Sequence, residues 1–234
     1  MLYHELAIPV TSVGMSPPLE FLEVETGPDP QVSIIWLHGL GADGYDFEPV
    51  VKELSLPAGI SIRFIFPHAP VRPVTINGGM PMRAWYDFLQ LSRGTGEDAA
   101  HIQESVDAIL ELVQHEQGRG VLASRICLAG FSQGGVIALM AAIQSREPLM
   151  GAMGLSTYLP FDGNIPEDAY KIPVFQAHGS FDNVLPLSWA EVARNQLKEA
   201  GYPLEWHEYP MEHSVCGEEI EAISRWIGRL CESI

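Results

Sequence analysis

Cysteine is scarce in this chain, basic residues are few, and long apolar runs are missing. The 234 residues contain three cysteines, Cys127, Cys216 and Cys231. An odd number, without the paired spacing of a zinc site or a disulfide framework, excludes both as the basis of its stability. Cys127 falls in an apolar run and reads as core, and Cys216 reads as a small apolar residue opening the last helix. Thirteen Lys and Arg stand against thirty Asp and Glu, a formal charge of −17. Such a charge repels nucleic acid and anionic membranes at long range, so no polyanionic partner is expected. No apolar run approaches the roughly 18 residues of a membrane span, which argues against stable membrane insertion. The opening Met1-Leu2-Tyr3-His4-Glu5-Leu6 lacks the basic start and apolar core of a secretion signal, so a cytoplasmic location is expected. Repeats, low-complexity tracts and long linkers are also missing, and one domain over 1–234 is expected.

What the chain does carry is apolar bulk and alternation. Apolar residues make up 47% and charged residues 18%, the balance of a globular protein. Short apolar or β-branched runs alternate with longer helical patterns, the signature of an α/β fold with a parallel sheet covered on both faces. Strands are expected over 19–25, 32–37, 60–66, 126–130, 151–156, 174–177 and 204–209. Helices are expected over 47–54, 97–116, 133–145, 188–200 and 218–232. In the second of these, Ile102, Val106, Ile109, Leu110 and Val113 recur at helical spacing, so one face is buried. Two segments break the alternation. Pro67 to Arg93 is rich in Pro and Gly yet carries Trp85, Tyr86 and Phe88, which favours an ordered flap over a disordered loop. Tyr158 to Tyr170 forms a second insertion.

The chemistry concentrates in Gly130-Phe131-Ser132-Gln133-Gly134-Gly135. A serine between an apolar strand and a helical run, with glycine two residues to either side, fits a sharp strand-to-helix turn that exposes its hydroxyl. Gly130 and Gly134 are then needed because a side chain there would collide with the neighbouring strand or helix. Ser132 is the candidate nucleophile. The buried run Ile172 to Ala177 ends in His178-Gly179-Ser180-Phe181-Asp182 and delivers Asp182 at a strand's carboxyl end, where catalytic groups collect in open α/β sheets. About thirty residues later Glu208-Tyr209-Pro210 leads into Met211-Glu212-His213, which places His213 likewise. The order serine, acid, histidine is the one expected for a nucleophile on such an elbow. Imidazole is the side chain whose ordinary pKa lets it take the serine proton near neutrality. Asp182 would orient it and stabilise the imidazolium. Among alternatives, Asp162 and Asp168 follow the insertion and read as surface residues, Glu212 points away in extended geometry, and His178 reads as a hydrogen-bonded structural residue.

An acyl transfer needs oxyanion donors, normally the N–H after the nucleophile and one from the loop after an early strand. Here these are Gln133 and Leu40, the latter in Leu37-His38-Gly39-Leu40-Gly41-Ala42-Asp43-Gly44, with His38 bracing the loop. A phosphate-binding reading of this loop is weak, since no Gly-Lys-Ser/Thr ending follows.

These motifs, with Arg83-Ala84-Trp85-Tyr86-Asp87, His178 to Pro186 and Tyr209 to Ser214, resemble the phospholipase/carboxylesterase family of α/β-hydrolases, which includes acyl-protein thioesterases. The likeness spans almost the whole chain. It implies an α/β-hydrolase fold with a short flap instead of a large cap domain. It also implies Ser132, Asp182 and His213 as triad, Leu40 and Gln133 as oxyanion donors, and Trp85 and the flap lining an apolar acyl groove. Two features depart from the pattern: residues 1–16 form an N-terminal extension without an assigned role, and Phe181 stands where the family often carries an acidic residue. The expected function is hydrolysis of carboxylic esters of short to medium acyl chains through an acyl-enzyme, with no metal or organic cofactor. Acyl-protein thioesterase or lysophospholipase activity is the alternative within the class. A non-catalytic scaffold binding a ligand or partner is the alternative outside it. A weak homodimer is a family-level expectation.

Overall fold

The computed structural model describes residues 4–5, 19–90, 96–160 and 165–232. In chain order the strands and helices are β1 (His4–Glu5), β2 (Phe21–Glu25), β3 (Val32–Leu37), β4 (Ile62–Pro67), β5 (Val71–Val74), β6 (Met80–Arg83), α1 (Ala99–Gly118), β7 (Ile126–Phe131), α2 (Gln133–Gln144), β8 (Gly151–Leu155), β9 (Val174–Gly179), α3 (Leu187–Glu199), β10 (Leu204–Tyr209) and α4 (Gly217–Cys231). Eight strands form one sheet in the order β1-β2-β4-β3-β7-β8-β9-β10. From β4 to β10 every pairing is parallel, while β2 is antiparallel to β1 and β4.

Burial on both faces explains why the central strands read as continuous apolar runs rather than alternating ones. All six residues of β3 are buried. Successive side chains point to opposite faces: Ile35 and Leu37 join the core beneath α1 and α2, and Ile34 and Trp36 join the core beneath α4. No helix among the described residues is long and apolar enough to cross a membrane.

Two boundaries differ from the sequence pattern for local reasons. The helix expected from 97 begins at Ala99, because the Asp98 carboxylate caps it, accepting from the Ala100 and His101 N–H groups at 3.0 Å. Glu97 is thereby left outside, paired as a bridge with Phe88. The segment expected as a helix over 47–54 is a 3₁₀ turn over Glu48–Lys52, with Pro49, which lacks an N–H, in its first turn.

The expected flap is ordered where described: β5 and β6 form an antiparallel hairpin with Gly78 and Gly79 at positive φ in its turn. It is tied to the body by Gly41 N–H to Arg83 O (2.8 Å) and Arg83 Nη1 to Ala69 O (2.9 Å). Residues 91–93 of that segment, 161–164 of the second insertion, and the extension over 1–16 apart from 4–5 lie outside the described residues.

Candidate active site

At the end of β7 the chain turns sharply into α2, and Ser132 occupies the turn with φ 53° and ψ −121°. A side-chain-bearing residue held there costs about 1–3 kcal/mol, and it persists only where the surroundings over-determine it. They do so here: Ser132 N–H donates to Leu155 O (2.9 Å), and the Thr157 hydroxyl and Gly135 N–H donate to Ser132 O (2.7 and 3.0 Å). The flanking glycines are sterically required. A Cβ on Gly130 would lie 2.2 Å from Gly134 O, and one on Gly134 would lie 2.4 Å from His38 O.

β9 and β10 pair in parallel to their ends, His178 with Glu208 and Gly179 with Tyr209. The two loops that leave them are therefore neighbours. Gly179 permits the close approach, since a Cβ there would meet Met211 O and Glu212 O at 2.4 Å. Phe181 N–H then bonds Met211 O (3.0 Å), and the two loops bring Asp182 and His213 together. His213 Nδ1 lies 2.7 Å from Asp182 Oδ2, and His213 Nε2 lies 2.9 Å from Ser132 Oγ. A carboxylate only accepts, so Nδ1 carries the proton and Nε2 faces the serine hydroxyl as acceptor. The Phe131 ring packs on the imidazole at 4.8 Å between centroids and restrains its tilt.

Asp182 is held from several directions. Its Oδ1 accepts the Val184 and Leu185 N–H groups at 2.9 and 2.8 Å. The buried His178 Nε2 stands 3.3 Å from Oδ2 and 2.9 Å from Leu185 O. Burial disfavours the charged carboxyl, but the hydrogen bonds from His178, His213 and Leu185 outweigh it and hold Asp182 well below the usual carboxylate range. It is ionised throughout the neutral range. Of the rejected acids, Asp168 is exposed and Asp162 lies outside the described residues.

Leu40 and Gln133 both border the cavity in front of Ser132. Gln133 opens α2, so its N–H belongs to the unpaired first turn, where the helix dipole favours negative charge. Behind Leu40, His38 donates from Nδ1 to Gly39 O (2.7 Å) and accepts the Ala69 N–H at Nε2 (3.0 Å). Burial lowers its pKa to about 4, so it is neutral and braces the loop.

One expected site residue takes a different place. Trp85 is fully buried and does not border the cavity. Its indole N–H donates to His38 O (2.9 Å) and its backbone N–H to Gln133 Oε1 (2.7 Å). The Gln133 amide in turn donates to Tyr86 O (2.7 Å). Trp85 and the Gln133 side chain thus form a strut joining flap, oxyanion loop and elbow. The cavity wall comes instead from Tyr86, Phe88, Tyr158, Ile76 and Leu185, around a volume of about 420 Å³. The adjacent run of three aromatics in 85–88 signalled a packed segment but not which ring faced which way.

A mostly parallel sheet, a strained serine on a strand-to-helix elbow, and an acid and histidine from the carboxyl ends of two later strands define an α/β-hydrolase. Residues 20–231 match the phospholipase/carboxylesterase family. Acyl-protein thioesterase 1 of Mycosarcoma maydis is 34% identical over 224 residues, covering 88% of this chain and 93% of that one. Carboxylesterase SOBER1 of Arabidopsis thaliana is 33% identical over 203 residues, 84% and 89% of the two chains. The SOBER1 crystal structure superposes with a TM-score of 0.79 at 32% identity over 86% of this chain and 99% of that one. The chain belongs to the phospholipase/carboxylesterase family, as a serine hydrolase of the carboxylesterase and acyl-protein thioesterase kind.

Proposed function

We propose that Ser132, His213 and Asp182 hydrolyse carboxylic esters of short to medium acyl chains through an acyl-enzyme. The observation that carries this reading is the unbroken hydrogen-bond chain Ser132 Oγ to His213 Nε2, and His213 Nδ1 to Asp182 Oδ2. Ser132 Oγ attacks the carbonyl carbon while its proton passes to His213 Nε2. The developing oxyanion takes the Leu40 and Gln133 N–H groups, donors that need no reorganisation during the step. Collapse expels the alcohol or thiol, protonated by His213. A water activated by the same imidazole then attacks the acyl-enzyme carbonyl, and loss of Ser132 Oγ frees the acid. Asp182 stays ionised and stabilises the imidazolium formed in each half.

The acyl-length range is supported by the size of the cavity, about 420 Å³, and by the buried side chains Tyr86, Phe88, Tyr158 and Leu185 in its wall. Thioester hydrolysis is the second reading, favoured by the name of the M. maydis relative. The same groups serve both, since a thiolate leaves more readily than an alkoxide. A cytoplasmic location is part of the proposal and agrees with three free thiols, Cys127, Cys216 and Cys231. So is weak self-association, which sedimentation at several concentrations would reveal. Ser132→Ala should abolish p-nitrophenyl butyrate hydrolysis and fluorophosphonate labelling while the protein stays folded. Full activity in that variant would overturn the assignment. A wild-type protein that neither turns over esters nor labels would instead be a binding scaffold.

A further inference from the structure

The wall of the catalytic cavity is made of both buried and exposed side chains. Tyr86, Tyr158, Leu185 and Phe88 on its wall are 0%, 1%, 4% and 6% exposed, whereas Val184, Asn77 and Asp46 lie at the surface. Hydrophobicity favours an acyl chain against the buried side chains, which leaves the exposed ones, Asp46 among them, to face the leaving group. There the wall carries a single kind of charge. Among the described residues that border the cavity, Asp46 is the one carboxylate, and no Lys or Arg is among them.

Asp46 is fixed in place yet unpaired. The loop before it is pinned by Gly44 N–H to His68 Nδ1 (3.0 Å), Tyr45 N–H to Asp43 Oδ1 (2.9 Å) and Asp46 N–H to Asp43 O (3.1 Å). The loop after it is anchored by Phe47, stacked on Trp36 at 5.4 Å and packed on Phe131 at 5.7 Å. The Asp46 carboxylate itself makes no hydrogen bond or ion pair among the described residues. Partial burial and the neighbouring Asp43 carboxylate both raise its pKa, so an approaching cation would relieve an existing repulsion. The whole chain, at −17, adds a field of the same sign.

Resting on the hydrolase reading above, we infer that Asp46 selects substrates by leaving-group charge. It favours acyl esters and thioesters whose alcohol or thiol carries an ammonium or guanidinium, and disfavours polyanionic thiols. Three butyryl thioesters of matched acyl group test this: butyrylthiocholine (cationic), the N-acetylcysteamine thioester (neutral) and butyryl-coenzyme A (anionic). At low salt, kcat/KM should fall in that order, and the cationic advantage over neutral should be about two- to fivefold, the range of one exposed charge pair. It should shrink as salt is raised to about 1 M. Asp46→Asn should lower the cationic-to-neutral ratio, and Asp46→Lys should lower it further. Glu53→Gln removes the same charge from an exposed position outside the cavity and should leave the ratio at its parent value. The inference is overturned if Asp46→Asn leaves the ratio unmoved, or if Glu53→Gln moves it as far. If neither the thioesters nor p-nitrophenyl butyrate are hydrolysed by the parent protein, the hydrolase reading itself fails.

Discussion

Trp85→Phe removes the indole N–H that donates to His38 O at 2.9 Å inside a fully buried strut. Where water is excluded, depriving a carbonyl of its donor costs about 1–3 kcal/mol. The smaller ring also leaves a void, which adds on the order of 1–2 kcal/mol. The sum, roughly 2–5 kcal/mol, lies below the roughly 5–15 kcal/mol that holds a domain folded, so the variant should be purifiable. For a chain of this size it corresponds to a Tm lower by roughly 4–20 °C. The catalytic consequence follows from position. His38 leads into Gly39 and Leu40, so loosening it displaces an oxyanion donor that acts on the carbonyl whatever the acyl chain. Calorimetry should show the lowered Tm, and kcat/KM on p-nitrophenyl acetate, butyrate and octanoate should fall by a common factor. An unchanged Tm with an altered chain-length preference would refute this reasoning and put Trp85 in the groove.

Asp182→Asn should lower kcat by about 10⁴-fold in a folded protein, because an amide can donate to His213 Nδ1 and hold the wrong tautomer; steady-state kinetics checks it. Gly134→Ala forces a Cβ to within 2.4 Å of His38 O and 2.7 Å of Leu37 O, backbone atoms with nowhere to go. Overpacking of this kind costs about 1–3 kcal/mol, and urea denaturation should register it together with lost activity. Burial raises the Glu219 carboxyl from its ordinary 4.5 to about 8. The folded chain therefore keeps a proton that the unfolded chain has released, so this contribution to stability is complete below about 4.5 and is lost as pH rises through about 8. Glu219→Gln should flatten that slope, visible as a smaller difference in Tm between about pH 5 and about pH 9.

Much of this protein is written in local sequence. The glycines at 130 and 134 mark an elbow because only a residue without a Cβ clears the backbone 2.2–2.4 Å away. The continuous apolar run of β3 marks a strand buried on both faces, and the strand ends before Asp182 and His213 mark where loops gather. Such signals are legible because steric demand and hydrophobic periodicity are properties of neighbouring residues. What the tertiary structure alone decided lies in contacts across long stretches of chain. Trp85 and Gln133, 48 residues apart, meet as a strut rather than as a groove wall, since ring orientation depends on what the fold packs against each face. His178 becomes a further support of Asp182, and Asp46 comes to stand at the mouth of the cavity, only once loops from different strands converge on the same end of the sheet. The type of chemistry is set by which residues follow one another along the chain; the wall that sorts substrates is set by which residues are brought side by side, because packing energy depends on pairs that sequence order does not name.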